Sequence, residues 1–330
     1  MPPRGPLSCV PLAMPTPSSE MPSADLTTST PIDAALRVLD AVVAVSDELD
    51  APAPPVERVP AEIWKAVPVA TLREKLDAAF VGRNPEAALD ALEASGMIAT
   101  LMPEVQALVG MGDSEWRHKD VWKHTKLVVK QSVPRLEVRW GALLHDIGKP
   151  RTRKLEDDGS VTFYGHAELG ASMFRRRFRA RFDFDRDLGD RIHFLILHHL
   201  RASQYEPSWT DSAVRRFYKQ MGDGLRDLLD LSRADITTKR PEKRRRGVHQ
   251  ISELGKRIKT LRTDDEKLPP LPKGLGTVLT DVFGIPPSKK LGDIRKQLES
   301  DVEDGTLEAG RDCDYYVAAI GADRARYGVD

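Results

Sequence analysis

An all-α fold is what this sequence predicts, on three observations. Apolar residues recur at helical spacing from Ile32 onward. Helix-start and helix-stop residues punctuate the chain at intervals that suit short helices. The one strand-like run, Ser160-Val-Thr-Phe-Tyr164, is short enough to be a loop. No internal repeat overlies this pattern.

Residues 1–31 are rich in Pro, Ser and Thr, lack periodicity and read as disordered, with Met14 or Met21 as possible starts. Ile32 to Leu49 carries an apolar stripe (Ile32, Leu36, Leu39, Val42, Val43), and Ala51-Pro-Ala-Pro-Pro55 ends that helix as a stiff linker. Thr71-Leu-Arg-Glu74 has the capping-box pattern and opens a helix to Phe80. Asn84-Pro85 supplies an N-cap and a first-turn proline for a helix to Ser95, stopped by Gly96. Further helices are expected near 120–132, 135–147, 166–180, 186–200, 211–220, 222–238 and 241–262. Leu268-Pro-Pro-Leu-Pro-Lys-Gly-Leu-Gly276 then reads as a rigid connector. Two short helices follow near 276–283 and 290–304, and Asp312 to Ile320 forms a short terminal strand or helix.

A chain of 330 residues admits one large domain or two to three small ones. With 40% hydrophobic and 30% charged residues and a mean hydropathy of -0.40, it reads as a soluble protein. No apolar run approaches the roughly 20 residues of a membrane-spanning helix, and no signal peptide is expected. Cys9 and Cys313 lie too far apart to suggest a disulfide framework, which points to a reducing cytoplasm. The net charge is zero but unevenly spread: the first 60 residues hold three basic against eight acidic residues. Basic groups gather in Arg175-Arg-Arg-Phe-Arg-Ala-Arg181 and in Lys239-Arg-Pro-Glu-Lys-Arg-Arg-Arg246, as suits a polyanionic partner or a solvated helix face. Within the first cluster Arg175, Arg176, Arg177 and Arg179 are candidates for phosphate contact, because arginine offers bidentate donors.

The chemistry concentrates in Trp140-Gly-Ala-Leu-Leu-His-Asp-Ile-Gly-Lys-Pro150, where His145 and Asp146 are adjacent. Upstream is His124, in Asp120-Val-Trp-Lys-His-Thr125; downstream are His166, His198, His199 and Asp235. Mixed imidazole and carboxylate ligands suit a first-row divalent metal better than calcium. A polar pair closing the apolar turn Leu143-Leu144 must be satisfied, and a metal does so. His145, Asp146, His124 and Asp235 suffice for one ion. His166 with His198 or His199 would complete a second, with Asp146 bridging two ions roughly 3.5–4 Å apart. His199 has a further reading as a phosphate contact. The expected cofactor is one or two divalent ions of manganese, nickel, iron, cobalt or magnesium, activating a water for hydrolysis. Lys149 is expected to neutralise a non-bridging phosphate oxygen. His118, His193 and His249 read as surface or core residues, and Trp116, Trp122 and Trp140 as core.

The order His124, His145-Asp146, Asp235 resembles the HD-domain superfamily of metal-dependent phosphohydrolases, and within it the HD region of tRNA nucleotidyltransferase/poly(A) polymerase-type proteins. Gly165-His-Ala-Glu-Leu-Gly-Ala171 and Arg233-Ala-Asp235 fall in the family's order, Leu89 to Glu104 resembles its helical neck, and the Pro-rich segment with Gly292 to Leu307 resembles its tail. The resemblance implies a mostly disordered segment at 1–59 with one helix, a neck at 60–115, an HD phosphohydrolase domain at 116–262 and a tail module at 263–330. The family's polymerase head would carry a Gly-Gly or Gly-Ser loop and an Asp-x-Asp pair before the neck. Neither occurs in the roughly 60 residues there, and Asp183-Phe-Asp185 lies between helices, so nucleotide addition is not expected. The expected function is hydrolysis of phosphoesters on nucleotides or RNA ends. The alternatives are an RNA-binding or regulatory module without turnover, and a deoxynucleotide triphosphohydrolase or alarmone hydrolase.

Overall fold

The computed structural model describes residue 1 and residues 32–111, 120–267 and 270–329. The expected disorder before Ile32, the possible starts, Cys9, Trp116 and His118 lie outside them. The described residues are all-α apart from one two-stranded hairpin. In chain order the helices are α1 (Asp33–Asp47), α2 (Ala61–Ala66), α3 (Val69–Val81), α4 (Pro85–Ala94), α5 (Met97–Leu101), α6 (Pro103–Gln106), α7 (Val121–Gln131), α8 (Leu136–Leu144) and α9 (Lys149–Thr152). After the hairpin β1 (Lys154–Leu155) and β2 (Val161–Thr162) come α10 (His166–Met173), α11 (Arg179–Arg181), α12 (Arg186–His198), α13 (Asp211–Met221), α14 (Leu225–Ala234), α15 (Pro241–Lys267), α16 (Leu275–Phe283), α17 (Lys289–Glu303) and α18 (Cys313–Ala322). No helix among the described residues is long and apolar enough to cross a membrane.

One continuous core runs from Ala35 to Leu261, and a second holds α16 to α18 from Leu271 to Val329. α1 does not stand apart from the helices after it. Its buried face (Ala35, Val38, Leu39, Val42) packs on α3 and α4. Its end is tied down by the Asn84 side-chain amide, which donates to the carbonyls of Glu48 and Ala51 at 3.0 and 2.9 Å. Asn84 also caps α4 by accepting from the Ala87 amide, with Pro85 in the first turn as its local chemistry dictates. After α4, Gly96 takes the left-handed conformation that lets the chain turn into α5.

Three local expectations need correction. α3 begins at Val69, directly after Pro68, so Thr71 sits inside the first turn and caps nothing. The Ser160–Tyr164 segment is not wholly a loop: Val161–Thr162 pairs antiparallel with Lys154–Leu155. The 166–180 helix is continuous but contains a π-helical turn, Phe174–Phe178, that turns both phenylalanines into the core and Arg175, Arg176 and Arg177 out to solvent. The terminal segment, open between strand and helix, is the helix α18.

α8 is the axis of the core. Trp140 is fully buried, meets Phe80 and Phe184 edge-on at 4.7 and 5.0 Å, and donates its indole N–H to Asp77 at 2.6 Å. Gly141 lets α12 approach, since a β-carbon there would stand 3.0 Å from Leu195. Trp122 is buried too and donates to Glu93. This packing holds the end of α8 at Leu144, with His145 as its C-cap.

Candidate metal centre

Five helices deliver the ligand-type side chains, most of them from helix ends. His145, His199 and Asp235 are the C-cap residues of α8, α12 and α14, and Asp146 follows directly on His145. His166 opens α10, and His124 lies in the first turns of α7. A helix C-terminus carries the negative end of the macrodipole, so three such ends at one point favour a cation.

The imidazoles are aimed by their Nδ1 atoms. In His145, His166 and His199, Nδ1 lies 2.8 Å from the carbonyl three residues earlier: Ala142, Phe163 and Ile196 respectively. Nδ1 of His124 lies 2.8 Å from the Thr237 hydroxyl. In His145, His166 and His199 the Nδ1–H donates to that carbonyl, and in all four rings Nε2 faces the common centre.

Asp146 stands between two pairs of these nitrogens. Its Oδ2 lies 3.1 Å from His145 Nε2 and 3.6 Å from His124 Nε2. Its Oδ1 lies 3.4 Å from His166 Nε2 and 4.0 Å from His199 Nε2. Asp235 Oδ1 joins the first group, 3.0 Å from His124 and 3.7 Å from His145. The nitrogens of His166 and His199 face each other at 3.1 Å, an arrangement two lone pairs tolerate only with a proton or cation between them. Asp146 Oδ1 and His145 Nε2 are buried without a hydrogen-bond partner, which is costly unless something else satisfies them. The donor set thus fits divalent metal, in two overlapping groups: His124, His145 and Asp146, and Asp146, His166 and His199.

The electrostatics suit the same role. Burial opposes ionisation of Asp146, but the His145 imidazole beside it outweighs burial and holds the carboxyl well below its usual range. Burial likewise opposes the charge on Asp235, and the hydrogen bond from His124 brings it down to about 2. Burial pushes His166 down, and it pushes His199, beside His145, down to about 4, so both stay neutral as ligands must be. Burial would also depress His145; the Asp146 carboxylate overrides it and raises the group.

His198 stays outside this cluster. Its ring packs on Phe194 at 4.7 Å on the other side of α12, because the buried stripe Ile192, Leu195, Ile196 continues to His199 and not to His198. Arg179 is committed elsewhere too: its guanidinium grips Asp190 at 2.7 Å and the Arg186 carbonyl at 3.2 Å, clamping α11 to α12. Arg175, Arg176 and Arg177 are exposed. Lys149 reaches the centre, with Nζ 2.6 Å from Asp146 Oδ2. No motif in the sequence singles out Thr237, which orients His124, or the carbonyls that orient the other rings.

Comparison with known proteins agrees with this geometry. Residues 117–240 match the family described as HD domain. A CC-adding tRNA nucleotidyltransferase of Thermus thermophilus is 32% identical over 252 residues, 72% of this chain and 55% of the relative. An A-adding tRNA nucleotidyltransferase of Deinococcus radiodurans is 28% identical over 250 residues, 73% of this chain and 55% of the relative. A Multifunctional CCA protein of Pseudomonas paraeruginosa is 32% identical over 111 residues, 32% of this chain and 27% of the relative. The chain spans about half the length of the first two. All the ligand-type side chains gathered around Asp146 fall between residues 117 and 240, and the chain carries an HD domain there.

Proposed function

We propose that this chain is a metal-dependent phosphohydrolase acting on phosphoesters of nucleotides or RNA ends. The observation that carries the reading is Asp146, a buried carboxylate with each oxygen turned to its own pair of histidine nitrogens and one oxygen left without a partner. The site residues proposed are His124, His145, Asp146 and Asp235 for one ion and Asp146, His166 and His199 for a second. Divalent ions bound there would supply Lewis acidity and an activated water near neutral pH. The protein's own part is to aim the imidazoles, to hold His166 and His199 neutral, and to keep Asp146 ionised between them. Lys149 places an ammonium at the mouth, where it can neutralise a non-bridging phosphate oxygen.

The RNA part of the reading is supported by the relatives, which are named for tRNA chemistry, and by the exposed segment Lys239–Arg246 that follows Asp235 and Thr237. A cytoplasmic location belongs to the same reading. RNA binding without turnover is the second reading, favoured by that exposed basic segment. The test is a panel of phosphomonoesters and 2′,3′-cyclic phosphodiesters with protein loaded in turn with manganese, nickel or cobalt. Hydrolysis is expected, and Asp146→Asn should abolish it while the fold persists. Absence of turnover on every ester, with RNA still bound, would favour the second reading.

A further inference from the structure

We propose that the cleft beside the metal centre receives an aromatic base, with Tyr164 as its stacking platform, so that the ester presented to Asp146 belongs to a nucleotide. This rests on the reading of the centre as a phosphoester site. The cleft has a volume of about 510 Å³, and His166 and Lys149 form its inner wall. Both also face Asp146, at 3.4 Å and 2.6 Å, so the cleft adjoins the metal centre through these two side chains.

Beside the exposed Glu168 carboxylate, the cleft presents uncovered apolar surface. Tyr164 is 83% exposed and Leu200 is 39% exposed, two of the few large apolar side chains left open to solvent among the described residues, and both line this one cleft. The backbone explains why the tyrosine stays out. The hairpin β1–β2 leads into Phe163, whose carbonyl holds His166 Nδ1 at 2.8 Å, so the chain is anchored on either side of Tyr164. Gly165, at φ 75°, makes the left-handed turn between them, and the Tyr164 ring projects outward as the His166 imidazole projects inward.

The cleft thus brings together a ligand imidazole, an ammonium and an open ring with an aliphatic neighbour, with the Glu168 carboxylate also on its lining. A phosphate suits the first two groups and a heterocycle suits the ring. A sugar phosphate alone would leave Tyr164 and Leu200 as bare as they are now. Stacking on an aromatic ring is tolerant of base identity, so the cleft selects for the presence of a base more than for which base.

The test compares binding of two esterase-resistant probes to manganese-loaded protein by calorimetry. One is the AMP phosphonate in which a methylene replaces the 5′ ester oxygen, and the other is the matching ribose phosphonate. The unmodified protein should bind the first about ten-fold more tightly than the second. Tyr164→Ala should erase most of that difference and leave the ribose probe and the metal content unchanged, while Tyr164→Phe should keep it. Equal affinity for both probes in the unmodified protein, or equal losses for both in Tyr164→Ala, would overturn the assignment. If the probes behave as expected but no ester is turned over, the base cleft stands and the hydrolytic reading falls. If esters are hydrolysed equally well with and without a base, the cleft falls and the hydrolytic reading stands.

Discussion

A β-carbon on Gly148 would stand 2.1 Å from the backbone carbonyl oxygen of His166. The turn after Asp146 and the start of α10 therefore touch backbone to backbone, and that contact sets how far His166 stands from Asp146. Gly148→Ala must push α10 away, since the obstacle is main chain and cannot rotate aside. The expected cost is about 1–3 kcal/mol of stability, as for overpacking at a tight site, together with loss of metal at the His166 side. Chemical denaturation and metal analysis of Gly148→Ala check both, and unchanged metal content would refute the coupling.

Metal stoichiometry is the second expectation. Calorimetric titration of the metal-free protein should approach two ions per chain, as the two groups meeting at Asp146 allow. His166→Ala should bring the value toward one. Joint replacement of His145 and Asp146 by Ala should abolish binding, because it removes ligands from both groups.

The neighbours His198 and His199 should behave oppositely. His199→Ala removes a buried nitrogen from the cluster and should weaken metal binding by about ten-fold or more, the scale on which even supporting partners of a site act. His198→Ala removes a ring that packs on Phe194 and should leave the affinity as it was. A chelator competition on the two variants decides between them.

Asp301 gives a pH expectation for the C-terminal core. It is fully buried and accepts from Tyr327 Oη at 2.5 Å, from Gln297 at 2.9 Å and from the Arg326 guanidinium. Burial alone would raise its pKa; these hydrogen bonds, that of Arg326 first, hold it below the ordinary carboxylate value. A depressed carboxylate contributes stability that is full above its unfolded pKa and lost as pH falls through the folded one. Amide protection around α16 to α18 should thus fall off below about pH 4. Asp301→Asn should reproduce the loss at neutral pH, at about 2 kcal/mol.

What the sequence showed of this molecule was its local chemistry. Asn84-Pro85 announces α4 because capping involves only neighbours in the chain, and the amphipathic stripe of α1 is plain in its periodicity. That this stripe packs on α3 and α4 is not, since periodicity identifies a buried face without its partner. The choice between His198 and His199 lay in the phase of Ile192, Leu195 and Ile196, a signal present in the sequence and resolved only when the helix is laid against α8. Thr71 misled because the capping pattern also occurs inside a helix whose start is set by Pro68. Gly148 and Tyr164 were illegible for one shared reason: the first acquires its meaning from His166 on another helix, the second from the cleft that α10 and Leu200 build around it.

The convergence of the α8, α12 and α14 C-termini has a kinetic consequence. Three dipole ends and two ionised carboxylates, offset in part by Lys149 and His145, leave the metal-free centre unfavourable to an anion, and a phosphoester is an anion. Under the proposed function loading would therefore be ordered: cations would enter first and reverse the sign of the potential, and only then would an ester find a well instead of a hill. Until that reversal the centre would exclude the very class of molecule proposed for it.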